Sequence, residues 1–360
     1  HLGLCSKAMI CVPNHLLMQW SADYFRLYPA ANILVVTARD FEKQRRRKFC
    51  ARIATGEYDA VIIGHSQLQK IPMSKEWEEQ HIQEQINEIM DGIEEIKTEN
   101  GENWTIKQME GARKALEERQ QRINTVPRDD VLDFEELGID MLVVDESHEF
   151  KNLAFTTKIR NVAGIAQGSA KRASDLFMKC RYLDKITGGR GVIFATGTPV
   201  SNAISELFTL QRYLQFDLLK ERGLTHFDAW VSIYAETKTA MELAPSGRGF
   251  RLKTRLSTYF NLNELCNMFA LVADIKIATD INIPVPKIHG GEPENIVIPP
   301  TPLGEEIIES LVERSERIRK KQVSAFEDNM LLVTNDGRKA ALDVRCFNAL
   351  LPDEGGNKVE

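Results

Sequence analysis

"MLVVDESHEFKNLAF", residues 141–155, runs four apolar residues straight into two adjacent acids and then into a scatter of polar groups. A short continuous apolar run bounded by polar residues suits a strand buried on both faces, the situation in parallel sheets covered by helices. Four further runs share the pattern: "AMICV" (8–12), "NILVV" (32–36), "DAVIIG" (59–64) and "GVIFAT" (191–196). Helical patterns separate most of them, which predicts an α/β fold with a parallel sheet and crossover helices.

Asp145 and Glu146 therefore stand at the C-terminal end of a buried strand, where open α/β sheets bind ligands. In nucleoside triphosphatases an Asp at that place holds Mg²⁺ and a neighbouring Glu orients or deprotonates the attacking water. Asp-Glu pairs also mark ordinary solvated turns, so a second cluster has to decide. "ATGTPVSNAISELFTLQRYLQ" (195–215) supplies one, again at a strand end, with Thr196, Gly197, Thr198 and Pro199 ahead of an amphipathic helix. Its plain alternative is a strand-to-helix connection in which Thr and Pro serve as cap and first-turn residues.

Composition narrows the class. The chain has 360 residues, 43% of them hydrophobic, enough for at least one large core. Its formal charge of −6 argues against a uniformly basic nucleic-acid binder and leaves room for a local positive cleft. Six cysteines lie far apart without a C-x-x-C pair, so neither a zinc site nor a disulfide framework is indicated. No apolar stretch approaches the ~18–20 residues that cross a bilayer, and the start lacks a signal-peptide layout, so a cytoplasmic address is expected. Residue 1 is His, and the chain reads as a piece of something longer.

Between the third and fourth strands, Ile82, Ile86, Ile89, Ile93 and Ile96 repeat at steps of four and three, a coiled-coil seam. Thr105 and Gln108 form a capping box, after which Met109, Ala112, Leu116 and Ile123 carry the spacing onto a second helix. An antiparallel helical hairpin over 74–124 is the expectation. Its mixed charges favour a hairpin that packs on itself. The first domain spans 1–216 with that hairpin inserted, 217–290 reads as a helical extension, and 291–360 as a linker and helix. In that last part Ile307, Ile308, Leu311, Val312 and Ile318 supply one apolar face.

With both clusters in view, the sequence resembles superfamily-two helicases and ATPases of the Swi/Snf-like, DEAH-type branch. "DESHEFKN" looks like motif II, where D-E-x-H is followed by a Lys-Asn pair, here Lys151 and Asn152. "ATGTPVSNAISELFTL" looks like motif III, T-G-T-P-x-x-N with a following E-L. "ICVPNHLLMQW" resembles motif Ia, and "DAVIIGHSQL" stands where motif Ib lies. The likeness is strongest to the helicase portion of large DNA methylase-helicase polypeptides of bacterial mobile elements and phages. It covers residues 5–216 and, more loosely, the chain to 345.

The resemblance implies a first RecA-like lobe that hydrolyses ATP with Mg²⁺. In it Asp145 coordinates Mg²⁺, Glu146 positions the hydrolytic water, His148 couples nucleotide state to motif III, and Thr196 and Thr198 supply that motif's hydroxyls. Gly197 lines the nucleotide beside Asp145 and Glu146. Pro13, Asn14 and His15, with His65, Ser66 and Gln67, fall where the family's first lobe touches the nucleic-acid backbone, contacts that position without reading sequence. Implied partners are duplex DNA, a second RecA-like lobe and a methylase domain of the same polypeptide.

No G-x-x-x-x-G-K-[ST] loop occurs in the chain. In the family that loop lies upstream of motif Ia, with the strand that pairs beside "GVIFAT", and the second lobe with its arginine finger follows after about residue 350. Those parts supply phosphate binding and several powers of ten in rate, so the isolated chain is expected to be inert. The alternative is a non-catalytic nucleic-acid- or protein-binding module. A metal-dependent hydrolase built on Asp145, Glu146 and His148 ranks below both, because ligands one and three residues apart after a strand rarely face one ion.

Overall fold

The computed structural model describes residues 3–359 except 99–102, 126–130, 158, 160, 161, 164, 166–169, 202, 245–248, 278, 279, 282–285, 287 and 356. All five apolar runs are strands: β1 (Ala8–Val12), β2 (Ile33–Val35), β3 (Ala60–Gly64), β4 (Met141–Val144) and, after the short β5 (Val162–Ala163) of a second sheet, β6 (Val192–Phe194). They form one parallel sheet in the order β2-β3-β1-β4-β6, flanked by helices in a RecA-like arrangement. From β1 the chain moves out to one side and from β4 to the other. The ends of β1 and β4 thus flank the point where the winding reverses, the crevice that open α/β sheets use for ligands.

The middle of the sheet is apolar because it is covered. All of β3 is buried, and Met9, Cys11, Leu142 and Val144 join Leu34 and Phe177 in the main core. Register between β1 and β4 is pinned at their N-terminal ends, where the backbone N–H groups of Ser6 and Lys7 donate to the Asp140 carboxylate at 2.6 and 2.9 Å. Cys11 then lies opposite Val144. A slip of one residue would turn the acids after β4 to the other face.

Helices α1 (Leu17–Leu27), α2 (Lys43–Thr55), α3 (His65–Leu68), α6 (Lys171–Thr187) and α7 (Ser205–Leu214) follow or precede these strands. Between α3 and β4 the chain makes the expected hairpin, α4 (Lys75–Thr98) and α5 (Asn103–Thr125). Ile82, Ile86, Ile89 and Ile93 are buried along it, and Ile89, Ile93 and Met109 form a core of their own with Ile106 and Leu116. Each such side chain contributes about 1.5–3 kcal/mol when fully buried. The side chains of Ile96, Thr105 and Gln108 lie outside the described residues. Helix α5 starts at Asn103, two residues ahead of Thr105, so Thr105 and Gln108 sit within its first turns and do not open it.

The stretch 217–290, read as helical, holds α8 (Phe216–Glu221), α9 (Phe227–Tyr234) and α10 (Leu262–Ala270), and also the two longest strands, β7 (Ala235–Leu243) and β8 (Phe250–Tyr259). These make the second sheet, β5-β8-β7. Their residues are mostly exposed on both faces, so "AETKTAMEL" and "FRLKTRLSTY" lack the apolar runs that betray buried strands. Phe208, Phe227, Trp230 and Tyr234 fill a second core together with Ala235 at the start of β7 and Leu256 of β8.

The chain divides into two compact units, 1–238 with 254–274, and 239–253 with 275–360. The second contains α11 (Pro302–Arg319), α12 (Met330–Ala340) and α13 (Val344–Phe347) around Ile307, Leu311 and Val333. Thr301 caps α11 by accepting from Gly304 N–H. Ile308, expected on the buried face, is exposed, because the face turned inward runs through Ile307, Leu311 and Ser315. No helix among the described residues is long and apolar enough to cross a membrane.

Two side chains tie the first unit together. The buried Tyr213 hydroxyl lies 3.2 Å from Phe150 O and 2.9 Å from Ala173 O, joining α7 to the turn after β4 and to α6. Tyr213→Phe should lower the unfolding free energy by about 1–2 kcal/mol, read as a lower urea midpoint at unchanged slope. His81 of α4 packs 5.5 Å from the Phe177 ring and bonds Gln85, and burial, reinforced by Arg212, Arg119 and Arg181, holds its pKa down to about 4. The unfolded chain binds this proton near pH 6.5 and the folded chain does not, so stability should fall by about 3 kcal/mol as pH drops from 6.5 to 4. Melts of His81→Phe should lack that component.

Candidate active site

The acids after β4 are suspended between two neighbouring strands. Asp145 N–H donates to Cys11 O at the end of β1 (2.8 Å), and Ser147 N–H donates to Ala195 O just past β6 (3.0 Å). Between these bonds Glu146 takes a left-handed conformation, φ 51° and ψ 46°. For a residue with a side chain that costs about 1–3 kcal/mol and persists only where the surroundings impose it. Here both neighbours are anchored, so the turn is imposed.

The side chains complete the cluster. Asp145 Oδ1 accepts from Glu146 N–H (3.0 Å) and Oδ2 accepts from Trp20 Nε1–H of α1 (3.1 Å), a bond across the β1–β4 crevice. His148 Nδ1 lies 3.0 Å from Glu146 Oε2 and 3.2 Å from Thr196 Oγ1. An ionised carboxylate only accepts, so the Glu146 contact requires the proton on Nδ1. Thr196 Oγ1 in turn accepts from Thr198 N–H (3.1 Å), which closes the turn after β6. Asp145, Glu146, His148 and Thr196 are thus brought together. Gly197 and Thr198 are exposed beside them.

The residues expected at nucleic acid separate into three groups. Pro13, Asn14, His15 and Ser66 meet at the tips of β1 and β3, where Asn14 Nδ2–H donates to Ser66 Oγ (2.9 Å), and Asn14 and His15 are exposed. A Cβ at Gly64 would come within 2.3 Å of both Asn14 Oδ1 and Gln67 Oε1, so a larger residue there would push these two side chains aside. His65 turns the other way: its Nε2 donates to Asp145 O (2.9 Å) and its ring meets Phe150 edge-on at 5.0 Å, so it belongs with the acids. Burial pushes its pKa down, which keeps the ring neutral. Gln67 is buried, and its Oε1 accepts from Ser66 Oγ–H at 3.1 Å.

Three contacts of the site have no signal in the sequence. Trp20 lies in "ICVPNHLLMQW", yet nothing local signals its reach to Asp145. Lys151 Nζ bonds Glu206 Oε1 and Ser201 Oγ, each at 2.9 Å, and the buried Glu206 also accepts from Ser201 N–H. That buried carboxylate clamps the turn after β4 to the loop before α7. Arg172 pairs with Glu149 at 2.9 Å on the flank. Asn202, the last member of the T-G-T-P-x-x-N pattern, lies outside the described residues.

Among the described residues no three His, Cys, Asp or Glu side chains gather around a point that would hold a metal ion on their own. Asp145 keeps a spare lone pair on each oxygen, a hard donor set that suits Mg²⁺ shared with ligand phosphates.

Comparison with known proteins agrees with this architecture. "Defense against restriction protein B" of Escherichia phage P1 is 24% identical over 232 residues, covering 64% of this chain and 10% of that much longer protein. A family model described as a probable helicase domain matches residues 1–277. The chain belongs to that family of probable helicase domains.

Proposed function

We propose that the chain is the first lobe of a DNA-dependent ATPase of the Swi/Snf-like, DEAH-type class, acting within a longer polypeptide that tracks along duplex DNA. The observation that carries the reading is the bridge Glu146–His148–Thr196, which couples the ends of β4 and β6 through side chains. Adjacent strand tips carrying acids and hydroxyls are what nucleotide hydrolysis requires of a protein: positioning and charge placement.

Asp145, fixed by Trp20, would hold Mg²⁺ together with the nucleotide's phosphates, and the ion would neutralise charge on the phosphate oxygens. Glu146 has one oxygen turned to His148, while Oε1 makes no hydrogen bond among the described residues and is left to accept from a water. The rigid left-handed turn aims that carboxylate without a reorganisation cost at the moment of reaction. His148 senses both Glu146 and Thr196, so a change at the motif III turn is transmitted to the base. Asn14, His15 and Ser66, at the tips of β1 and β3 on the same sheet edge, are where backbone phosphates would lie. The name of the phage relative, a protein of defence against restriction, agrees with a DNA-directed role. A second RecA-like lobe and a methylase domain of the same polypeptide are the expected partners.

The exposed side of β6 supports a multi-part sheet. It is an edge strand whose Ile193 is 47% exposed, although its sequence is that of a covered strand.

Glu146→Gln in the intact polypeptide should lower DNA-stimulated ATP turnover by about 10²–10⁴-fold while nucleotide binding is retained. Unchanged turnover would reject the role given to Glu146. Thr196→Val should reduce turnover as well, with a smaller effect on the turnover measured without DNA, since it breaks the bridge and spares the base.

A further inference from the structure

Away from the strand tips, the helical hairpin and the α7–α9 region enclose a cavity of about 690 Å³, within the range of ligand pockets. Ile89, Met109 and Leu116 form one apolar wall, and Phe155 another. Phe155 is half-buried and backed by Phe227 at 4.4 Å and Phe208 at 5.6 Å, which fixes the plane of its ring. The small side chains of Ala112 and Ala115 also line it, and both residues are exposed, so the cavity is open to solvent on the α5 side.

The polar groups decide what fits. Arg212 is 6% exposed, donates from Nη1 to Ala154 O at 2.7 Å and lies 5.0 Å over the Phe177 ring, but its Nε has no partner. No carboxylate among the described residues bonds this guanidinium. Nε is closed off from the cavity, so what Arg212 can offer a ligand there is its Nη groups, and a buried cation held by one backbone carbonyl and no carboxylate is costly unless something accepts from them. Glu88 lines the same cavity without a hydrogen bond or ion pair among the described residues, and burial raises its pKa, with Arg212 the chief opposing influence. Arg119 and Arg212 stand against Glu88 and Asp228, so the formal charge of the lining cancels. That balance disfavours a phosphate or free carboxylate. It suits a flat, neutral group offering acceptors to Arg212 and donors to Glu88 at once.

We infer that this cavity is a nucleobase pocket, shaped for an unpaired guanine stacked on Phe155. Guanine presents acceptors O6 and N7, which arginine reads, beside donors N1–H and N2–H₂, which a carboxylate accepts. Aromatic faces add stacking without sequence preference. The inference rests on the nucleic-acid reading above and deepens it by giving the hairpin a ligand.

Titration of the chain with guanosine, adenosine, cytidine and thymidine, followed by calorimetry, tests it. Guanosine should saturate, with the other three at least about tenfold weaker. Glu88→Gln should weaken guanosine about tenfold, and Ala115→Trp, an exposed helix position that fills the cavity, should abolish binding while the thermal melt stays that of the parent chain. Absence of saturation, equal affinity for all four, preference for another base, or unchanged guanosine binding in either variant overturns the proposal. Saturation by N-acetylglutamine amide in place of nucleosides would do the same in favour of a peptide. The titration requires no turnover, so a negative result leaves the ATPase reading standing, and an inactive ATPase leaves this one standing.

Discussion

Two backbone hydrogen bonds hold the account together: Asp145 N–H to Cys11 O and Ser147 N–H to Ala195 O. They stretch the two residues after β4 between the flanking strands, with Glu146 in a left-handed conformation between them. Everything chemical at the sheet edge is built around that constraint. The carboxylate of Asp145 is steadied by Trp20, the ring of His148 is drawn between Glu146 and Thr196, and His65 closes the back of the turn through Asp145 O.

Such a site depends on strand register more than on any single side chain. The Asp140 carboxylate clasping the backbone at Ser6 and Lys7 sets β1 against β4 at one end of the sheet, and its effect is felt at the other, where Cys11 and Val144 stand side by side. Behind the turn, Tyr213 and the Lys151–Glu206 clamp attach the two motif-bearing segments to α7. A movement of α7 therefore reaches both strand tips. The helical hairpin and α7 border one cavity, which Arg212 also lines.

The sheet was legible in the sequence because burial on both faces writes itself as unbroken apolar runs, and since Asp145 and Glu146 follow one such run and Thr196 ends another, their meeting at one sheet edge could be expected from it. What was not legible depends on distance or exposure. Trp20 reaches Asp145 across 125 residues, and no local pattern announces that. The strands β7 and β8 are solvated on both faces, so "AETKTAMEL" and "FRLKTRLSTY" carry little of the periodicity that marks a half-buried strand. His65 and Gln67 were grouped with Ser66 because they are consecutive, whereas the short helix α3 points the three in different directions. Arg212 looked like one more polar residue on an amphipathic helix, and only packing reveals it as a buried cation.

The central claim is that the tips of β4 and β6 respond to one nucleotide as a unit. Hydrogen exchange on the intact polypeptide, with and without Mg²⁺ and a non-hydrolysable ATP analogue, measures this directly. Protection should rise together over 145–149 and 195–198, and Thr196→Val should diminish the gain at both. Protection gained at one tip alone, or at neither while the nucleotide is bound, would contradict it.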